Sequence, residues 1–432
     1  MKKNLKVFKF GGASLKDAAA VRNVGNILTR YLDDKLLIVV SAMGKTTDAL
    51  EKVVVAHARE TGEALQLLEQ IKQTHELLCH ELFGAAHEVY AHINDLFVSV
   101  EWVLDEPPHE NYDYMYDQII GLGELVSSRI VHAWLNQLGL PTEWLDARDV
   151  ILTDDIFREG WVQWEETEAR AERIVRPMLE KNGFILTQGF IGSTTENFTT
   201  TLGREGSDYT AAIFSYCLDA ESMTIWKDVP GVLTADPRKF ENVIKLDRLS
   251  YKEAIEMTYY GAKVIHPKTI KPLQNKSIPL FVKSFLKPED EGTFISAEVE
   301  DHYPPMVAVE SQQALLHIST RDFSFVAEHH ISLLFQFIAD LRLQVNMMQN
   351  TAISFNVCFN DTDDKIDRFM KLIDKDFKAI VDRNLELITV RHALPEVIDN
   401  LRKGKIVLVE ERMGDTVMMV VKDVPVLRRR EN

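Results

Sequence analysis

The feature that most constrains this chain is a succession of strand, glycine turn, helix and strand at its start. The apolar run 5–8 leads into Lys9-Phe10-Gly11-Gly12-Ala13-Ser14. A helical pattern follows: Ser14 and Asp17 form a Ser-x-x-acid start, and Ala18, Val21, Gly25, Leu28 and Leu32 recur at helical spacing. Residues 36–40 are then apolar without polar alternation. Strands that are apolar on both faces belong to a parallel sheet covered by helices, so an α/β architecture is expected. The turn places a cation and two residues without side chains where backbone N–H groups can approach a phosphate and a helix N-terminus favours an anion. Taken alone, a Gly-Gly turn that opens a helix also reads as ordinary punctuation.

At 432 residues the chain exceeds what one hydrophobic core serves, so two or three domains are expected. Its 49 Lys+Arg against 66 Asp+Glu give a net charge of -17. That sign argues against a nucleic-acid or anionic-membrane surface, although an acidic shell can enclose a basic pocket. No stretch reaches the apolar length of a membrane span, and the first residues lack the apolar core of a signal peptide. Cys79, Cys217 and Cys358 are far apart, odd in number and without a CxxC pair. Reduced thiols and a cytoplasmic location are therefore expected, with neither nucleic acid nor membrane as partner.

Residues 47–103 are mostly helical in period, and 105–114, with Pro107-Pro108, interrupt them. Leu122, Val126, Ile130, Ala133 and Trp134 mark the face of another helix, while 184–187 and 223–226 read as further strands. Ser250 and Glu253 form a capping box for a helix ending at Gly261, and Pro267 opens the next element. A charged stretch at 298–305, closed by Pro304-Pro305, ends the first region. Beyond it, 314–319 reads as a strand, 331–341 as a helix, 344–348 and 352–359 as strands, and 365–380 as a helix. A strand at 385–390, a helix at 394–401 and a hairpin of 406–410 with 416–421 complete two small β-α-β-β units.

Several polar constellations interrupt this pattern. Ser41-Ala42-Met43-Gly44-Lys45-Thr46-Thr47 invites a P-loop reading, but Val39 stands where the first glycine is required. Ser41 and Thr47 nevertheless follow a parallel strand, where they could hold a carboxylate or simply cap a helix. Gly121-Leu122-Gly123-Glu124 imitates a dinucleotide fingerprint with Val126 in place of its third glycine, and Glu124 in a first helical turn can merely complement the dipole. Thr199-Thr200-Thr201-Leu202-Gly203-Arg204-Glu205-Gly206-Ser207-Asp208 is more specific. Arg204 can present its fork to a carboxylate and Asp208 can accept from an ammonium, the two needs of amino-acid recognition; a surface loop with an Asp cap is the plainer alternative. Lys227-Asp228-Val229-Pro230-Gly231 leads to Asp236-Pro237-Arg238, and Gly261-Ala262-Lys263 sets another cation beside glycine.

Together with Thr187-Gln188-Gly189-Phe190-Ile191-Gly192 and Val264-Ile265-His266-Pro267, these motifs resemble those of aspartokinases in order and spacing over essentially the whole chain. The resemblance implies an amino-acid-kinase α/β/α sandwich with a mostly parallel sheet over 1–298. Two ferredoxin-like (ACT) domains over 306–432 would follow, binding an amino-acid effector and supporting a homodimer or higher homo-oligomer. It implies transfer of the ATP γ-phosphate, with Mg2+ resting on ATP oxygens and water, to the side-chain carboxylate of L-aspartate. The product, 4-phospho-L-aspartate, leads toward lysine, threonine, methionine and diaminopimelate.

By the same resemblance Lys9 and Asp208 are catalytic, and Lys9, Gly11 and Gly12 meet the phosphates. Ser41, Thr47, Glu124, Arg204 and Ser207 surround aspartate. Lys227, Asp228, Leu233, Arg238, Lys263 and Val264 fall at nucleotide positions. Ala13 and Lys227 stand where threonine is usual, and Leu233 where tyrosine is frequent. The residues after 416–421 leave no room for a homoserine dehydrogenase domain, so a monofunctional enzyme is expected. Competing expectations are a sister kinase acting on acetylglutamate or glutamate, and an amino-acid sensor without phosphoryl transfer.

Overall fold

The computed structural model describes residues 5–260, 265–298, 302–322, 324–361 and 364–424. The chain forms two compact units: residues 1–232, 245–255 and 264–300 make the first, and residues 233–244, 256–263 and 301–432 the second. The first unit contains β1 (Leu5–Phe10), β2 (Lys35–Val40), β3 (Thr142–Leu145), β4 (Phe184–Gln188), β5 (Ile191–Ser193), β6 (Thr199–Thr201), β7 (Ser222–Lys227), β8 (Arg248–Ser250), β9 (Leu280–Ser284) and β10 (Thr293–Ser296). Eight of them form one sheet in the order β3-β4-β2-β1-β7-β9-β10-β8, and β5 pairs with β6 in a separate ribbon. All neighbours from β3 to β9 are parallel; β10 runs antiparallel to β9, and β8 runs parallel to β10. The expected mostly parallel α/β sheet is therefore the fold.

Strand β1 explains why both faces must be apolar. Phe8 and Phe10 enter a cluster with Val21 and Val24 of helix Ala18–Leu28, with Ile38 and Val40 of β2, and with Trp226 of β7. Trp226 stacks on Phe10 at 6.0 Å and meets Phe8 edge-on at 5.7 Å, pairs each worth about 0.5–1.5 kcal/mol beyond burial. Alternation along the strand sends Lys9 to the opposite face, the one on which helix Gly206–Cys217 packs across β1, β2 and β7. The chain passes from β1 to β2 on one side, while β7 arrives later on the other. The carboxyl ends of these three strands thus meet at the switch point where open α/β sheets receive ligands.

The first helix starts later than its Ser-x-x-acid pattern indicates. Residues Gly12–Leu15 form a tight 3-10 turn directly off β1, in which Ser14 Oγ donates to the Trp226 carbonyl at 3.4 Å. Asp17 is the cap of helix Ala18–Leu28, its carboxylate accepting the Ala20 N–H at 2.8 Å.

The second unit holds β11 (Met306–Thr320), β12 (Val345–Asn350), β13 (Ser354–Asn360), β14 (Phe377–Arg391), β15 (Lys405–Met413) and β16 (Thr416–Asp423), with helices Glu328–Asp340, Lys365–Ile373 and Pro395–Arg402. One antiparallel sheet runs β12-β13-β11-β14-β16-β15. It reads as two overlapping ferredoxin-like arrays: the second half of β11 and the first half of β14 serve β12 and β13, and their other halves serve β16 and β15. The register shifts between Glu310 and Gln313, where the arrays meet. One expectation needs correction. The helix expected over 365–380 ends at Ile373, because Phe377 to Ile380 pair with Thr320 to His317 and this pairing overrides local helical period. Strand β11 begins at Met306, ahead of the strand expected over 314–319, since 306–310 pair with 387–391 far along the chain.

Candidate active site

The carboxyl end of β1 delivers Lys9 into the interior, only 6% exposed. Its ammonium lies 2.6 Å from Oδ1 of Asp208, which is 0% exposed in the first turn of helix Gly206–Cys217. Lys227, at the end of β7, brings a second ammonium to 3.7 Å from the other carboxylate oxygen. Burial drives the Asp208 carboxyl up, but Lys9 and Lys227 together more than offset it and hold the group below the usual carboxylate range. Two cations therefore meet on one buried anion, Lys9 and Asp208 being buried and Lys227 half-buried. Gly11 borders it: a Cβ there would lie 3.4 Å from Lys9 Nζ.

Glycines let the surrounding loops close in. A Cβ on Gly12 would stand 2.9 Å from the Ala42 carbonyl oxygen, and Gly44 N–H donates to the Gly12 carbonyl at 3.1 Å, joining the loops after β1 and β2. A Cβ on Gly123 would stand 2.9 Å from the Ala42 Cβ, so helix Leu122–Gln137 approaches the same loop. Next to it Glu124 is 3% exposed. One of its oxygens accepts the Ala42 N–H at 3.2 Å, and the other has no hydrogen-bond partner among the described residues. Glu124 is thus far more than an acid complementing a helix dipole: burial pushes its carboxyl up to about 8, against the pull of the Ala42 N–H and of Lys9. Ser41 lies one residue before Ala42, its N–H donating to Phe10 and its carbonyl accepting from Ser127 Oγ at 2.6 Å. Thr47 is half-buried in the first turn of helix Thr46–Ala58.

A buried carboxyl group with a raised pKa and one oxygen without a partner among the described residues is poised to meet a cation. Binding of an ammonium there is expected to expel the proton. Titration calorimetry at pH 7 with L-aspartate, the ligand that the sequence resemblance implies, in buffers of different ionisation enthalpy, should show proton release on binding. Glu124→Gln should remove that release and weaken binding by about 10- to 100-fold, the worth of a hydrogen bond to a charged group. Identical heats across buffers would reject this role.

Arg204 sits on the turn that precedes helix Gly206–Cys217 and is exposed. The turn uses left-handed backbone at Gly203, φ +75°, and at Glu205, φ +54°, the latter a residue type that rarely adopts it. Ser207 is buried so closely against Gly189 that a Cβ on the glycine would fall 2.4 Å from the serine Cβ. His266 caps helix Pro267–Asn275 by accepting the Lys268 N–H at 3.2 Å. Burial, then Lys268 and Arg204, push its imidazole pKa down, while Asp208 pulls it up. Asp228 is exposed just after β7. Leu233 is half-buried and Arg238 is exposed, its guanidinium 2.8 Å from Asp236; both belong to the second unit. Lys263 and Val264 lie outside the described residues.

Sequence reasoning missed the carboxylate that ties these loops together. Asp117, in helix Tyr112–Ile120, accepts the N–H groups of Arg158 at 2.8 Å and Thr201 at 2.9 Å, and the Thr201 hydroxyl at 2.8 Å. Burial raises its carboxyl to about 6 despite those donors.

The description "Amino acid kinase family" fits residues 4–284. This chain belongs to the amino acid kinase family. Among curated relatives of this amino acid kinase, lysine-sensitive aspartokinase 3 of Escherichia coli (strain K12) is 32% identical over 340 residues, 76% of this chain and 74% of the relative. The chloroplastic bifunctional aspartokinase/homoserine dehydrogenase 2 of Arabidopsis thaliana is 30% identical over 366 residues, 82% of this chain but 40% of the relative. The chain thus spans well under half the length of that bifunctional relative. A crystal structure of E. coli aspartokinase III in complex with aspartate and ADP superposes with a TM-score of 0.83 at 25% identity, covering 96% of each chain.

Proposed function

We propose that the protein is an aspartate kinase that transfers the γ-phosphoryl group of ATP to the β-carboxylate of L-aspartate. The observation that carries this reading is the pairing of two lysines on a buried Asp208 with a buried Glu124, one of whose oxygens has no hydrogen-bond partner among the described residues, at the switch point of the sheet. The aspartate side chain, with a pKa of about 3.9, is already ionised at neutral pH, so the nucleophile needs no general base. The obstacle is repulsion between a carboxylate and a polyphosphate, and it is met by cations and by alignment.

In this reading Lys9 and Lys227 neutralise the transferring phosphoryl group, and Asp208 holds the two ammonium groups together. Gly11 and Gly12 present backbone to the phosphates; Asp228, Leu233, Arg238, Lys263 and Val264 serve the nucleotide. Ser41 and Thr47 receive the β-carboxylate, Arg204 the α-carboxylate and Glu124 the ammonium of aspartate, with Ser207 supporting the loop. Mg2+ arriving with ATP would supply further charge neutralisation.

Residues 1–298 are proposed as the catalytic region and 306–432 as a regulatory pair of ACT domains that binds an amino-acid effector and supports a homodimer. The cytoplasm is the proposed setting, in keeping with three buried free cysteines.

An ADP-release assay with aspartate, acetylglutamate, glutamate and a nucleoside monophosphate decides the reading. Turnover is expected with aspartate, and turnover with another acceptor but not aspartate would overturn it. Ligand-induced stabilisation without ADP formation would identify a sensor. Arg204→Ala is expected to raise the aspartate KM by about 10- to 100-fold with little change in the ATP KM, the worth of a charge-assisted contact.

A further inference from the structure

Ribbon β5/β6 carries the chain to Arg204, yet β6 has a neighbour on one edge only: Ile191, Gly192 and Ser193 pair with Thr201, Thr200 and Thr199. The other edge is satisfied by a helix. Gln118 donates its amide to the Thr199 carbonyl at 2.9 Å and accepts the Thr199 N–H at 3.2 Å. Asp117 accepts the Thr201 N–H and hydroxyl, and Gly160 N–H donates to the Thr201 carbonyl at 2.8 Å. Two consecutive helical side chains and one loop amide thus stand where a third strand would run.

Asp117 does more than close an edge. The oxygen that accepts from Thr201 also accepts the N–H of Arg158, a non-glycine residue at φ +69°. The Arg158 side chain is fixed as well, its guanidinium 4.3 Å from the Tyr116 ring centre and 3.4 Å from Asp113. The Arg158 carbonyl in turn lies against Gly203, where a Cβ would be 3.4 Å away. One fully buried carboxylate therefore clamps the segment that ends three residues before Arg204 to the helix that ends four residues before Glu124.

We propose that Asp117 is a positioning residue for the amino-acid substrate, setting the spacing between the arginine that takes its α-carboxylate and the glutamate that takes its ammonium. The inference rests on the aspartate-kinase reading for the identity of that substrate. Asp117 touches no reacting atom; it acts through Thr201 and Arg158 on Arg204, and through its own helix on Glu124. A shift of about 1 Å in either group weakens the paired recognition while leaving the lysine cluster and nucleotide positions in place.

The test compares Asp117→Ala, Asp117→Asn and Thr201→Val with the wild-type chain in the ADP-release assay, varying aspartate and ATP separately. Asp117→Ala is expected to raise the aspartate KM by about tenfold or more with the ATP KM within about twofold, because three donors lose their acceptor. Asp117→Asn keeps an oxygen for the two N–H groups and should recover most of that loss. Thr201→Val, which removes one bond, covers the case in which Asp117→Ala does not fold, and should show a smaller rise confined to aspartate. An unchanged aspartate KM, or equal rises for both substrates, would overturn the proposal. Failure of the wild-type chain to use aspartate would sink the function instead. The clamp would then be judged by hydrogen exchange, with faster exchange at Arg158 and 199–206 in Thr201→Val expected and unchanged exchange overturning it.

Discussion

Lys9→Ala is expected to lower kcat for aspartate-dependent ADP formation by about a thousandfold while the sheet stays folded, in the range seen when a preorganised charge is removed from a transition state. The size follows from the arrangement. Lys9 is one of two ammonium groups at the carboxyl ends of β1 and β7, and Lys227 stands farther from the shared carboxylate, at 3.7 Å against 2.6 Å. Removing Lys9 leaves Asp208, fully buried, with Lys227 as its remaining ion-pair partner.

A second signature separates loss of this charge from general damage. In the wild-type chain Lys9 and Lys227 hold the Asp208 carboxyl below its ordinary pKa. The stabilisation this gives is present above the ordinary carboxylate range and is lost as pH falls through the depressed value. Without Lys9, burial should prevail and move the carboxyl above its ordinary pKa, reversing the sign: stability then declines as pH rises through the shifted value. The deficit in melting temperature of Lys9→Ala against wild type should therefore shrink between pH 8 and pH 5. Steady-state kinetics and melts at those two pH values check both statements. An unchanged kcat would remove Lys9 from the chemistry.

What could be read from sequence depended on how local the cause was. The β1 turn was legible because an apolar run, two glycines and a helical period are contiguous, and the switch-point site follows from them. Asp208 and Arg204 were legible because glycines and hydroxyls crowd the same ten residues. The role of Asp117 was not, and that of Glu124 came only as what the aspartokinase resemblance implies. Glu124 looks like a first-turn acid until Gly123 lets its helix press on Ala42, a contact made across 82 residues. Asp117 meets its donors 41 and 84 residues away, and nothing near it marks those distances. The long strands β11 and β14 escaped for the same reason: residues 306–310 and 377–380 become strand through pairing with distant segments. Leu233 and Arg238 were assigned to the nucleotide by the aspartokinase resemblance alone, and their membership of the second unit is set by contacts that nothing near them in the sequence marks.

Asp208→Asn is the change that best distinguishes chemistry from architecture, because asparagine caps a helix about as well as aspartate and is nearly the same size. If Asp208 served the first turn of helix Gly206–Cys217 alone, the variant would keep both its fold and its kcat. The structure argues otherwise, since both carboxylate oxygens face ammonium groups, Lys9 at 2.6 Å and Lys227 at 3.7 Å. Taking the negative charge away removes the anion that draws the two ammonium groups together and leaves them repelling each other, out of line for phosphoryl transfer. The expected outcome is a fall in kcat of about a hundredfold or more. Breaking the buried pair should also cost about 3–5 kcal/mol of stability in the absence of nucleotide. The ATP KM should not rise, because the net charge facing the polyphosphate becomes more positive. Bound ATP should for the same reason restore more of the melting temperature in the variant than it adds to the wild-type chain. A variant with wild-type kcat and an unaltered response to ATP would reduce Asp208 to a helix cap.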